Sequence, residues 1–129
     1  MRLLLDTHVA IWATRDPERL SVPVRNALLG NPGSIVVSTA AIWEIAIKYP
    51  LGRSARPPFT AYEAIFEFEN AGFKILDVTA AHAAFVERLP HLHSDPFDRL
   101  MLAQAIIENM QFVTYDRLLS RYDVAMLNW

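Results

Sequence analysis

Short apolar runs alternate with longer amphipathic segments along the chain, which is the pattern typical of α/β proteins. The short runs predict buried strands over 3–5, 34–37, 73–78 and 112–114, and a last edge strand over 124–127. The amphipathic segments predict helices over 8–13, 22–30, 40–49, 60–71, 80–89 and 96–109, and a helical turn over 117–121. Because helices separate successive strands, we expect a central, mainly parallel sheet of four to five strands with helices on both faces, a three-layer α/β/α sandwich.

Length, composition and charge narrow the class of protein. The 129 residues suit a single domain over 1–129. The absence of cysteine excludes a disulfide framework, a thiol nucleophile and cysteine-ligated metal sites. Twelve basic residues against 14 acidic ones give a net charge of −2, which excludes a nucleic-acid binder held only by bulk positive charge. A mean hydropathy of +0.18 indicates apolar surface that a partner or a second copy covers.

The beginning of the chain carries no recognisable targeting signal. Its apolar run covers only residues 3–5, far short of a signal-peptide core and of the ~20 residues that a membrane helix needs. We therefore expect a cytoplasmic protein that does not contact a membrane.

Four carboxylates stand where ligands bind in open parallel sheets, beyond the carboxyl ends of the strands. Asp6 comes directly after the first predicted strand, and Asp116 comes two residues after the strand that ends at Thr114. Glu44 lies in the helix that leaves the second strand, and Asp98 lies in the first turn of the helix beginning at residue 96. All four could therefore converge on one rim of the sheet.

Each carboxylate also fits an ordinary structural role. Asp6 and Asp116 could cap a helix or a turn. Glu44 precedes Lys48 by four residues, which is the favoured orientation of a helical ion pair. Asp95 is well placed as the N-cap of the last long helix, with Asp98 at a favourable acidic position in its first turn.

The four acids together indicate a metal site, because like charges brought close cost stability unless a cation is shared. Oxygen ligands without cysteine or a paired-histidine helix favour Mg²⁺ or Mn²⁺ over zinc. Such ions commonly serve phosphoryl-transfer chemistry, in which they lower the pKa of the attacking water.

Four segments of the chain, in the order in which they occur, resemble segments of the PIN-domain ribonucleases, and among them of the VapC toxins of bacterial toxin–antitoxin pairs. The most specific is Asp95-Pro96-Phe97-Asp98-Arg99, a part of the third segment. The matching segments are LLLDTH at 3–8, WEIAIK at 43–48, HSDPFDR at 93–99 and VTYD at 113–116.

The resemblance implies a PIN-like fold and a metal-dependent endoribonuclease that binds Mg²⁺ or Mn²⁺ and activates water for cleavage of RNA. Thr114 corresponds to the family's small hydroxyl two residues before the last acid. Asp95 belongs to the same family motif as Asp98, and we interpret it mainly as the N-cap that fixes that residue. Arg99 would contact substrate phosphate or pair with a site carboxylate. The catalytic and metal-binding acids would be Asp6, Glu44, Asp98 and Asp116.

The resemblance also implies partners. We expect an RNA substrate, with transfer RNA favoured, and a small cognate antitoxin. We also expect a homodimer, for which the helices containing 27–29 and 42–45 are candidate interfaces. Two alternatives stay open: a catalytically inactive module of the same fold, and a phosphoacceptor signalling domain. The second fits less well, because the only lysines, Lys48 and Lys74, do not follow the fourth or fifth strand.

The remaining polar residues carry weaker expectations. His91 and His93 form at most half of a zinc site, His8 lies beside Asp6 and could assist RNA binding, and His82 is expected to be structural. Members of the family are often more basic after the helix that carries Glu44, so the sequence leaves open whether Arg53 contacts RNA.

Overall fold

The computed structural model describes residues 1–54 and 56–129, and its centre is a five-stranded sheet. Every pairing between neighbouring strands is parallel, which confirms the predicted sheet and its edge strand. The strand order is β3-β2-β1-β4-β5. The strands are β1 (Leu3–Leu5), β2 (Ile35–Ser38), β3 (Lys74–Leu76), β4 (Gln111–Thr114) and β5 (Met126–Asn128).

In the described part of the chain, six α-helices connect or follow these strands, close to the predicted ranges. They are α1 (Thr7–Arg15), α2 (Val22–Leu29), α3 (Thr39–Lys48), α4 (Ala61–Asn70), α5 (Ala80–Phe85) and α6 (Pro96–Ile107). The helix predicted over 80–89 is shorter than expected, because its second half forms a separate 3-10 turn, Val86–Arg88. Further 3-10 turns are Pro17–Arg19, Tyr49–Leu51 and Arg117–Arg121. None of the helices in the described part of the chain is long and apolar enough to cross a membrane.

The central strand determines where the site forms. All three residues of β1 are buried, as are those of β2, so that side chains on both faces of the sheet are covered. The register aligns Leu5 of β1 with Val37 of β2 and with Val113 of β4. The carboxyl ends of β1, β2 and β4 therefore meet at one edge.

Hydrogen bonds to side chains hold the first turns of α3 and α5. Ser38 accepts a hydrogen bond from the amide of Ala40 at the start of α3. His82 is buried and structural, as expected: its Nδ1 accepts from the amide of Thr79, and its Nε2 lies 2.9 Å from Oε2 of Glu108. The start of α3 is thereby fixed at the end of β2, and α5 is tied to the residue that follows α6.

Candidate active site

A cleft of about 900 Å³ opens at the carboxyl ends of β1 and β4. All four acids predicted from the sequence line it, and the cap residue Asp95 lines it as well. Two basic side chains, Lys48 and Arg117, lie on the same walls. We call this the acidic cleft.

Asp6 is fixed by the start of α1 and by the neighbouring strand. Its Oδ1 accepts from the amide of Val9 at 2.9 Å, so it is the N-cap of α1 as well as a cleft residue. Its Oδ2 accepts a hydrogen bond from the hydroxyl of the buried Thr114. The same Thr114 oxygen accepts from the amide of Asp116 at 3.1 Å. Thr114 therefore holds Asp6 and the chain at Asp116 together.

Glu44 is buried in the wall of the cleft, with only 4% of its surface exposed. Its Oε1 accepts from the hydroxyl of Thr7 at 2.6 Å, and its Oε2 pairs with Lys48. Glu44 therefore forms the helical ion pair with Lys48 and also lines the acidic cleft. The role of Thr7 was not predicted from the sequence, in which its only signal is a hydroxyl directly after Asp6.

Asp98 reaches the cleft from the first turn of α6. Asp95 is the N-cap, because its Oδ1 accepts from the amides of Phe97 and Asp98 at 2.8 and 3.1 Å. Oδ2 of Asp98 lies 3.0 Å from Nε2 of His93, and the same nitrogen lies 3.6 Å from Oδ2 of Asp116. His93 therefore bridges two of the acids, a position that the His91/His93 pattern did not predict.

The contacts of Arg99 contradict the expectation that this residue binds substrate phosphate or a site carboxylate. Its guanidinium is buried and donates to the carbonyls of Val86 and Pro90 at 3.2 and 3.0 Å. It also donates to the hydroxyl of Tyr122 at 3.1 Å. Buried carbonyls need such donors, so Arg99 braces the turn that leads into the loop carrying His93.

Burial and mutual repulsion make ionisation of Asp6 and Asp98 in the acidic cleft unfavourable. Burial raises the pKa of Asp98 to about 7, with repulsion from Asp95 and Asp6 adding to the rise and the His93 hydrogen bond opposing it. Burial also raises the pKa of Asp6, although the hydrogen bonds from Thr114 and Val9 work against it. The cleft therefore disfavours its own ionised state when no cation is present.

Stability without divalent cations should fall as pH rises from about 4 to about 7. The Asp98 carboxyl ionises near its ordinary value of 3.8 in the unfolded chain but at about 7 in the folded chain. Between these values the folded chain binds more protons, so the free energy of unfolding decreases with pH. In EDTA we expect a lower melting temperature at pH 8 than at pH 5, and a smaller difference for Asp98→Asn. The exposed Asp123→Asn variant should match the parent, and equal slopes for all three proteins would contradict this explanation.

The donor atoms of the cleft fit a divalent cation. His93, Asp98 and Asp116 each offer one ligand atom, and these atoms all lie within 4.8 Å of one another. Carboxylate oxygens are the donors that Mg²⁺ and Mn²⁺ prefer, and Mn²⁺ also accepts an imidazole nitrogen. A cation here would relieve the repulsion that raises the pKa of Asp98.

Comparison with known proteins identifies relatives of this chain. The PIN domain family model matches residues 3–125. Ribonuclease VapC22 of Mycobacterium tuberculosis is 31% identical over 118 residues, which cover 89% of this chain and 87% of that protein.

Two solved structures share the fold at low sequence identity. VapBC2 from Rickettsia felis, bound to a DNA fragment from its promoter, has a TM-score of 0.73 and 18% identity, covering 100% of this chain and 99% of that chain. DNA-bound VapBC from Salmonella typhimurium has a TM-score of 0.69 and 17% identity, covering 100% of this chain and 98% of that chain.

Proposed function

Because the chain belongs to the PIN domain family and resembles its VapC ribonucleases, we propose that it is a metal-dependent endoribonuclease and the toxin of a toxin–antitoxin pair. One observation carries the proposal beyond the family. Four carboxylates from separate elements, Asp6, Glu44, Asp98 and Asp116, line a single cleft at the carboxyl edge of the parallel sheet.

The residues of the cleft divide into those that would hold the ion and those that position them. Asp98, Asp116 and His93, whose ligand atoms converge, would hold Mg²⁺ or Mn²⁺. Asp6 and Glu44, also predicted as ligands, line the same cleft outside this group of three. When bound, the ion would supply an activated water and stabilise charge on the phosphate oxygens. Thr114 keeps the carboxylate of Asp6 oriented through its hydroxyl.

Glu44 completes the proposed catalytic group from the opposite wall. Thr7 donates to one of its oxygens, and Lys48 pairs with the other. These contacts hold a buried carboxylate at a fixed position. Glu44 would then orient water or substrate hydroxyl groups near the scissile phosphate.

We propose that the substrate is RNA and that transfer RNA is the favoured class. The proposed place of action is the cytoplasm, where transfer RNA is found. The purified chain should cut transfer RNA into discrete fragments when Mg²⁺ is present, whereas ribosomal and messenger RNA fragments should be cut more slowly. Sequencing the new ends locates the site. Failure to cut any of the three RNA classes would overturn the enzymatic proposal.

The proposed partner is a small antitoxin encoded beside this chain. The solved relatives are named as VapBC complexes, which supports a partner of this kind. A co-expressed antitoxin should purify with the chain and suppress RNA cleavage. The neighbouring gene is the simplest check, since a short upstream frame encoding a DNA-binding segment is expected there.

We also propose a homodimer, formed through the predicted helix segments. Leu29 of α2 and Trp43 of α3 are the exposed apolar side chains there, at 81% and 58% exposure. Sedimentation should show a dimer that Leu29→Glu or Trp43→Glu weakens, because a buried charge opposes association. Tyr62→Glu changes a side chain of similar exposure outside these segments and should leave the dimer intact. A monomeric parent protein would contradict the proposal.

A further inference from the structure

A second cleft of about 850 Å³, which we call the basic groove, adjoins the acidic cleft. The two clefts share part of their lining. A linear polymer bound at the carboxylates of the acidic cleft can therefore continue into the basic groove along the same surface. The basic side chains that line the groove are Arg15, Arg19, Lys48, Arg53 and Arg56. The shared lining residues are Thr7, His8, Glu44, Lys48 and Tyr115.

The charge of the groove contrasts with that of the whole chain. Five of the 12 basic residues of the chain line it, against two acids, Asp16 and Glu44. The chain as a whole has a net charge of −2. Positive charge is therefore concentrated beside the acidic cleft, where it would attract the backbone of a polyanion.

Two of the arginines are available for a ligand. Arg53 and Arg56 are exposed, and neither pairs with a carboxylate among residues 1–54 and 56–129. The guanidinium carbon of Arg56 lies 4.6 Å from the ring centre of Tyr49, which restricts its side chain. A guanidinium held flat on an aromatic ring keeps its N–H edge free for phosphate. Arg15, in contrast, already pairs with Glu67 at 3.2 Å.

An exposed aromatic ring stands at the junction of the two clefts. Tyr115 is 54% exposed and lines both of them. Its ring packs edge-on against Trp12 and Trp129, each at 5.3 Å between ring centres. These neighbours fix the ring while leaving much of its surface open, and an unpaired base can stack on such a surface.

We propose that the basic groove binds the single-stranded RNA segment that flanks the scissile phosphate, with Arg53 and Arg56 on its phosphates and Tyr115 against a base. The inference rests on the proposed ribonuclease function. A single strand is favoured because stacking needs a base that is not already paired. The proposal assigns Arg53, whose contact with RNA the sequence left open, to substrate binding.

The test measures binding separately from cleavage. A fluorescent single-stranded RNA of about 12 nucleotides, a length within the range of single-strand sites, is titrated with the Asp98→Asn protein so that it stays intact. Adding Arg53→Gln and Arg56→Gln together should weaken binding on the order of 10-fold near 0.1 M salt. The slope of log affinity against log salt should become shallower by about 1.4, as expected for two lost phosphate contacts on a single strand.

Matched variants separate phosphate contact from a general change of charge. Arg88→Gln with Arg121→Gln removes the same charge from two exposed positions that line neither cleft, and should leave affinity and slope near the parent values. Tyr115→Ala should weaken binding at least about fivefold, whereas Tyr115→Phe, which keeps the stacking ring, should stay within about twofold.

The outcomes distinguish this inference from the proposed function. Unchanged affinity and slope in the Arg53/Arg56 double variant would overturn the inference, whether or not the chain cleaves RNA. Loss of antitoxin affinity with unchanged RNA affinity would assign the groove to a peptide and overturn it as well. Weakened RNA binding in a chain that cuts no RNA would support the groove and overturn the ribonuclease proposal alone.

Discussion

Replacing Asp98 by asparagine should reduce the rate of RNA cleavage at least about 10³-fold, because several kcal/mol of transition-state stabilisation depend on a bound cation. The substitution keeps the shape of the side chain and an oxygen that can accept from His93. It removes the negative charge from a ligand position where donor atoms converge. The loss therefore reports the charge of Asp98 rather than its packing.

Asp6→Asn should have an effect of the same order. Asparagine is as good an N-cap as aspartate, so α1 should keep its cap. Initial rates on the same RNA measure both variants, and circular dichroism with thermal melting shows that each is folded. In cells, we expect the parent chain to arrest growth and both variants to leave growth unaffected.

The control for these variants is Asp123→Asn, which changes an exposed acid that lines neither cleft. It should cleave RNA at the parent rate. An Asp6→Asn or Asp98→Asn protein that is folded and retains a tenth of the parent activity in Mg²⁺ would overturn the assignment of the acidic cleft.

Removing divalent cations should abolish cleavage completely, and adding Mg²⁺ or Mn²⁺ should restore it. Calorimetric titration with Mn²⁺ should show binding to the parent protein and a large loss of affinity in Asp98→Asn and Asp116→Asn. RNA affinity should also fall in EDTA, because the uncompensated carboxylates of the cleft then repel the phosphate backbone.

The metal experiment also separates the leading proposal from an inactive module of the same fold. An inactive module predicts no Mn²⁺ binding and no loss when the acids are replaced. Cleavage and RNA affinity that do not change on chelation would contradict the metal-dependent mechanism, even if the chain proved to be a ribonuclease.

Most of the fold could be predicted from local sequence patterns. Apolar runs identified all five strands, and β1 has the predicted bounds, Leu3–Leu5. The cap at Asp95 and the proline after it located the start of α6. The main error was the length of α5, because the pattern over 80–89 does not distinguish a continuous helix from a helix followed by a 3-10 turn.

The sequence alone was sufficient to identify the four acids and to predict the edge of the sheet at which they lie. That was possible because the carboxyl ends of parallel strands meet at the same edge, so residues that follow the strands converge. The hydrogen bonds that fix the acids depend on the tertiary structure and could not be predicted from the sequence. Thr7 meets Glu44 across 37 positions, and Thr114 meets Asp6 across 108.

Tertiary packing also decided the roles of His93, Arg99 and the basic groove. His93 lies on a loop whose path depends on the turn that Arg99 braces, and no spacing in the sequence records that path. The groove brings together basic residues from α1, α3 and the chain after α3, which hydrophobic periodicity leaves unrelated. Periodicity and caps are properties of neighbouring residues, whereas these contacts depend on which elements pack together in three dimensions.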